Sequence, residues 1–438
     1  VIEGCTLTQA LFGASQLGAW SVDDCTFVDA VWRDCVLSDA TITRCALPAS
    51  RWEGVRLSGT LRDCDLQGLD ARGCDFQGLT WSSVSLGRGA LVGCNLTGVH
   101  LGGVTVLPDR MDDSRLEGGT LTGCDLTSVS LRGASLVDAE AEGAIFDGAD
   151  LTGADLTRAR LAGATFQAAV LREADFTEAD LQGADLRGRE AVGVRFDGAR
   201  LHGTDLRYVA LHGARFVESR WQGVKTAHAT FADSQWDNAA LDGAVFDGCT
   251  FEECTFVGAS LVEASLRGCS LVFADFTEAN LQRAVLDGAR LDDAVLTAVC
   301  LAGASLVGAR LYRADLAGAN LAGCDFSGAD LSRVDARKLT LTGCAVTSET
   351  VWEGADLREA DLTGVSLRRA NLTDIDLRGA KCAGVCFDEA TLRGATLHGA
   401  DLRGASFVKA VGASAEFDDA HLGDADLRGA ELAMASFA

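Results

Sequence analysis

Residues 144–188 read AIFDG ADLTG ADLTR ARLAG ATFQA AVLRE ADFTE ADLQG ADLRG. Written in fives, the stretch repeats one pattern. A large apolar residue sits at the centre of each pentad, a small residue stands two before it, and Asp or Asn often stands just before it. Polar residues or Gly follow, as in Ala149-Asp150-Leu151-Thr152-Gly153. A period of five fits neither a helix at 3.6 residues per turn nor a flat strand alternating at two. No heptad is present to wind a coiled coil. A chain that turns a corner every five residues absorbs the period. Each pentad makes one short side, and four sides close a square coil of twenty residues. The centre and the small residue point inward and the other three outward, which suits an apolar fraction of 48%. Gly commonly falls two after the centre (Gly148, Gly153, Gly163, Gly183, Gly198), where the corner is expected to need positive φ.

The pattern extends in both directions. Centres run every five residues from Ile2 to Leu57, lose one residue, and resume at Leu61. They continue to Val346, gain one residue before Trp352, and run on to Phe437. Weak centres fall at Ala71, Ala141, Ala191, Thr226, Ala336, Cys382 and Gly412. The domain organisation expected is therefore one solenoid over residues 1–438, with register breaks near 57–61 and 346–352. The strict form Ala-[Asp/Asn]-[Leu/Phe] occurs fifteen times, too often for chance to have placed it. The chain resembles the pentapeptide-repeat proteins over nearly its whole length. The resemblance implies an all-β fold, a right-handed parallel quadrilateral β-helix, here of about 22 coils and roughly 105 Å at ~4.8 Å per coil. Trp20, Leu69, Leu79, Trp81 and the stretch Leu107-Pro108-Asp109-Arg110-Met111 fit loosely and mark places for local bulges or loops. The start, Val1-Ile2-Glu3-Gly4-Cys5, has no initiator Met and no signal-type apolar core, so the chain is expected to be part of a longer protein.

Thirteen of the sixteen cysteines occupy the small inward site: Cys5, Cys25, Cys35, Cys45, Cys64, Cys74, Cys94, Cys124, Cys249, Cys254, Cys269, Cys324 and Cys344. There Cys alternates with Ala and Val, a preference for small volume rather than a disulfide framework. Reduced buried thiols imply a reducing compartment, and a cytoplasmic location is expected. Cys300 and Cys386 fall just before a centre and are expected at the surface. The Cys382/Cys386 spacing lacks the further ligands a metal site needs.

The 438 residues carry 38 Lys and Arg against 63 Asp and Glu, a formal charge of −25. A polyanion repels nucleic acid and anionic lipid, so no direct nucleic-acid partner and no membrane partner is expected. The expected partners are proteins, in particular basic ones or ones whose sites ordinarily hold nucleic acid. With both termini reading as uncapped repeat, an open sheet edge at each end invites end-to-end association or a cap. Over residues 59–348 the four sides sum to −1, −3, −4 and −7. The most acidic side holds a candidate docking strip of Asp155, Asp175, Glu178, Asp275, Glu278 and Asp315.

No nucleophile elbow, HExxH or phosphate-binding loop occurs, and His202 and His212 fall ten apart, on opposite sides of a coil. No catalytic residue, metal or cofactor is expected, and the interior, filled by stacked Leu, Phe and Ala, leaves no room for a ligand. The function expected is non-enzymatic: a rigid acidic rod acting as a scaffold or protein-interaction module. Some family members are segments of larger secretion-associated or multidomain proteins. The alternative the resemblance offers is DNA mimicry toward a type II topoisomerase such as gyrase, with protection from topoisomerase poisons. Duplex DNA carries one charge per ~1.7 Å, more than twice the density expected of this chain. No C-terminal dimerisation helix is visible. Parallel β-helix lyases, the enzymatic comparison, use larger coils with long loops that these pentads do not supply.

Overall fold

In the computed structural model, which describes residues 1–188 and 190–438, the pentads wind into parallel β-solenoid. Two compact units are distinguished, Val1–Arg215 and Phe216–Ala438. Residues pair with those twenty positions on: Asp155 with Asp175 in the first unit, and Asp275 with Val295 and Val295 with Asp315 in the second. Each pairing uses the two residues at the middle of a side. The Asp155 N–H donates to the Ala134 carbonyl one coil back (2.9 Å), and the Leu156 N–H to the Asp175 carbonyl one coil forward (2.7 Å).

The corner explains the rest of the pentad. The Ala154 N–H donates to the Leu151 carbonyl across the intervening two residues (3.0 Å), and Gly153 has φ +65°. A positive φ at the third residue of a four-residue turn is the type II pattern. Arg158, Ala168 and Glu178 adopt the same conformation with φ of 55°, 63° and 57°, so glycine is favoured at the corner without being required there. The first coils turn differently. Their sides are three-residue strands such as Thr6–Thr8, Leu11–Gly13 and Gln16–Gly18. The first corner hydrogen bond of the type II kind is from Ser50 to Leu47.

Both register shifts have a local device. The strand Arg56–Arg62 follows Val36–Thr43 with Leu57 opposite Leu37 but Gly59 opposite Ala40, so one residue drops out between Leu57 and Gly59. Near the second, Asp330 pairs with Val351 and Asp335 with Asp356, twenty-one positions on. There the extra residue is held by Thr350, whose buried hydroxyl donates to the Phe326 carbonyl (2.8 Å) and accepts the Thr347 N–H (3.1 Å).

At twenty residues per coil, each of the two units makes about eleven turns. A solenoid coil touches only its neighbours, so the repeat alone does not tie distant coils into one body.

Inside, the centres stack. Phe146 lies on Phe166 with ring centroids 5.0 Å apart and planes 3° from parallel; in the second unit Phe256 lies on Phe276 at 4.6 Å and 3°. These distances match the strand spacing of ~4.8 Å, so like rings on successive coils stack in register. The weak centres Ala71, Ala141, Ala191, Ala336 and Cys382 are buried too, and Thr226 satisfies its buried hydroxyl on the Val245 carbonyl (2.6 Å). All sixteen cysteines are free. Of the thirteen at the small site, Cys5 is exposed, Cys124 and Cys344 are half-buried, and the others are buried. The buried thiols donate to carbonyls of the coil behind, as Cys254 does to Phe231 (2.8 Å) and Cys269 to Phe246 (2.9 Å). Burial pushes the thiols of Cys254, Cys324 and Cys382 up to about 12. They are small packing residues, not nucleophiles.

Candidate interaction surface

The outward three residues of each pentad are the part of the molecule open to a partner. They are not equivalent. The residue just before the centre is half-buried in most pentads, and when it is Asp it caps the corner that follows. Asp155 Oδ1 accepts the Thr157 N–H (2.9 Å), Asp175 the Thr177 N–H (2.9 Å), Asp275 the Thr277 N–H (2.9 Å) and Asp315 the Ala317 N–H (2.9 Å). This is the Asx-turn contact, in which a short side-chain oxygen stands in for a backbone acceptor. It accounts for the recurrence of Asp and Asn at this position. Thr adds its hydroxyl to the same oxygen at Asp275 (2.6 Å).

The four aspartates of the sequence-derived strip are therefore half-buried corner caps, each with one oxygen already engaged. Glu178 and Glu278 are the exposed members, each at a left-handed corner position with φ of 57° and 59°. In the first unit Asp155 and Asp175 are followed in the same column by Arg195 and Arg215, and Arg195 Nη1 lies 3.1 Å from Asp175 Oδ2. In the second unit the column runs Asp275, Val295, Asp315, Asp335, Asp356, Asp376.

The last three of these carry a feature that the sequence reading passed over. An arginine two residues after the aspartate folds back over it and forms a forked pair: Arg337 on Asp335, Arg358 on Asp356 and Arg378 on Asp376, each at 2.6 Å. The next coil is reached as well, Arg337 to Asp356 at 3.9 Å and Arg358 to Asp376 at 3.6 Å. The result is a ladder of alternating sign, not a free acidic wall. The signal was Asp and Arg flanking a centre, as Asp335-Ala336-Arg337 and otherwise as the triplet Asp-Leu-Arg, which recurs at Asp185-Leu186-Arg187, Asp205-Leu206-Arg207, Asp401-Leu402-Arg403 and Asp426-Leu427-Arg428. All four form the same pair. Burial raises the Asp356 carboxyl, but the Arg358 bonds outweigh it and hold the group below the usual carboxylate range. Two arginines, Arg368 and Arg369, bring Glu389 down to about 2. These arginines are largely exposed, so solvent screens the pairs and they add little to stability. Their larger effect is on the field, because paired charge is felt only at short range.

Cys300 and Cys386 are half-buried, and Cys300 accepts contacts from Gln282 Nε2 (3.4 Å) and Asn320 Nδ2 (3.7 Å). Among the described residues no group of three His, Cys, Asp or Glu side chains is placed to hold a metal ion. No helix among them is long and apolar enough to cross a membrane.

Parallel strands at a twenty-residue offset, corners every five residues and a solid stacked interior define a quadrilateral β-solenoid. The family model for pentapeptide repeats matches eight times, at residues 110–148, 149–188, 192–220, 309–344, 345–374, 355–394, 370–407 and 390–429. That for the pentapeptide repeat region matches residues 229–321. The chain belongs to the pentapeptide-repeat family, and its fold is the right-handed quadrilateral β-helix of that family. Among solved structures it is similar to HetL, a pentapeptide repeat protein involved in heterocyst differentiation regulation from the cyanobacterium Nostoc sp. strain PCC 7120. The identity is 28% over 57% of this chain and 90% of that one, at a TM-score of 0.28. QnrB1, a plasmid-mediated fluoroquinolone resistance protein, is 16% identical over 58% of this chain and 91% of its own, at 0.19. The pentapeptide repeat protein Rfr23 from the cyanobacterium Cyanothece 51142 is 19% identical over 40% and 91%, at 0.16. Curated protein sequences give no match.

Proposed function

We propose that this chain is a non-enzymatic interaction module of a reducing compartment, a solid support whose outer walls present charged side chains to protein partners. The observation that carries the reading is the division of labour within the pentad. Two residues of five close the interior, one caps the corner, and only the remaining two are free to vary with a partner. The partners it suits are proteins with basic surfaces, because the formal charge is −25 and the exposed Glu178 and Glu278 lie outside the arginine ladder. The test is proximity labelling in cells with the wild-type chain and with a Glu178→Lys/Glu278→Lys variant of unchanged melting temperature. Loss of a discrete basic set of labelled proteins supports the reading; identical sets overturn it.

DNA mimicry toward a topoisomerase is the second reading, and the acidic balance favours it. The Asp-Leu-Arg pairs work against it, since they neutralise carboxylates where a mimic needs them bare. A supercoiling assay with purified gyrase decides: inhibition or protection at micromolar protein restores the mimic, and no effect removes it.

A further inference from the structure

One side of one coil in the first unit is missing its partner strand. The segment Leu101–Asp109 leaves the regular path through a 3-10 turn at Leu101–Gly103 and a strand at Val104–Val106. That strand still pairs with the coil behind it, Val84 with Val104 and, after a bulge, Ser85 with Val106. It does not reach the coil ahead. Asp125 pairs forward with Ile145 only.

The consequence is a row of idle backbone groups. In the next coil the Ile145 N–H donates to Cys124 and the Ile145 carbonyl accepts from Leu126. The equivalent N–H and carbonyl of Asp125 have no backbone partner among the described residues, and neither has the Thr122 carbonyl. The Thr127 carbonyl would take the N–H of residue 108, but that residue is Pro108, which has none. Between the displaced segment and this edge lies a cleft of about 770 Å³. Its floor reaches the interior: Cys124, at a small inward site, is half-buried there, whereas Cys94 and Cys74 at such sites are 0% and 2% exposed. The charged residues lining it are Asp109 and Asp125, both acidic and both exposed.

We propose that this cleft receives an extended basic peptide segment of another protein, added as a strand along the Thr122–Thr127 edge. The backbone row supplies the alternating acceptors and donor that a strand requires and a helix cannot use. Asp109 and Asp125 supply the charge that selects Lys or Arg over the acidic segments this chain itself carries. One small or apolar side chain of the peptide covers Cys124. The proposal rests on the reading of the chain as an interaction module and names one partner class and one place for it.

A phage-displayed heptapeptide library panned on the full chain tests it, followed by calorimetry on the enriched peptides. The expected result is enrichment of basic sequences whose affinity falls at least about tenfold in Asp125→Lys and equally on N-methylation at alternate backbone positions. Binding to Glu278→Lys, in the other unit, stays unchanged. No enrichment, enrichment of acidic sequences, or peptides indifferent to Asp125→Lys or to N-methylation overturn the proposal. So does a concentration-dependent dimer that Asp125→Lys abolishes, because a second copy would then be the occupant. Loss of cleft binding with the labelled partners of the outer walls intact refutes this site alone and leaves the interaction module standing.

Discussion

Two glycines of the first unit separate steric need from mere preference. At Gly59 the backbone has φ +120°, and a Cβ placed there would lie 2.1 Å from the Ala40 carbonyl oxygen and 2.6 Å from the Ala40 nitrogen. Both are backbone atoms of the adjoining strand, so no rotamer change relieves the overlap. At Gly153 the φ is +65° and nothing lies within 4 Å of the added Cβ. Gly153→Ala therefore incurs only the left-handed penalty, ~1–2 kcal/mol, offset by ~0.4–1 kcal/mol from the stiffer unfolded chain. The net is about 1 kcal/mol or less. Gly59→Ala adds overpacking of ~1–3 kcal/mol to a backbone conformation costing ~1–3 kcal/mol, together about 4 kcal/mol. For a unit of this size 1 kcal/mol moves the melting temperature by ~2–4 °C. Circular dichroism melts should place Gly153→Ala within about 4 °C of wild type and Gly59→Ala about 8–16 °C below it. Hydrogen exchange should show the loss centred on Val36–Thr43 and Arg56–Arg62. If the two variants melt together, the register shift is not held by close approach at Gly59, and the account of the first break fails.

Phe276→Ala should cost ~3–5 kcal/mol, and hydrogen exchange should lose protection in the neighbouring coils of the second unit while residues 144–188 keep theirs; uniform loss would contradict additive solenoid stability. The raised thiols make the protein sensitive to alkali. Between about 9, the unfolded value, and about 12, the folded value, the unfolded chain has released protons that Cys254, Cys324 and Cys382 retain. Stability is then complete below pH 9 and falls as pH rises, by up to ~1.4 kcal/mol per pH unit per thiol. Cys254→Ala should flatten the fall in melting temperature between pH 8 and 10.5, and an unchanged slope refutes the assignment. Ser219 Oγ accepts the buried Trp221 indole N–H at 2.9 Å, so Ser219→Ala should cost ~1–3 kcal/mol; in a Trp221→Phe background calorimetry should show that cost largely gone.

Much of this protein is determined by its sequence alone. Five-residue periodicity excludes helix and flat sheet, and the choice of large centre and small neighbour follows from how much space a square coil leaves inside. Hence the buried Leu and Phe columns, the thiols at the small site and the two places where the count slips were all legible in one dimension. The tertiary structure decided what the outer residues do. Whether an Asp is a free charge or a corner cap depends on the N–H two residues on, and whether an Arg neutralises it depends on side chains brought together by the winding. Asp356 and Arg358 read as two charges in the sequence and as one pair in the coil. The opened edge at Asp125 depends on a segment nearly a full coil away, Val104–Val106 and Pro108 after it; the sequence shows a loose fit at Pro108 but not which edge it uncovers. Inward positions repeat because every coil imposes the same volume on them. Outward positions owe their roles to neighbours twenty residues distant, which only the fold brings alongside.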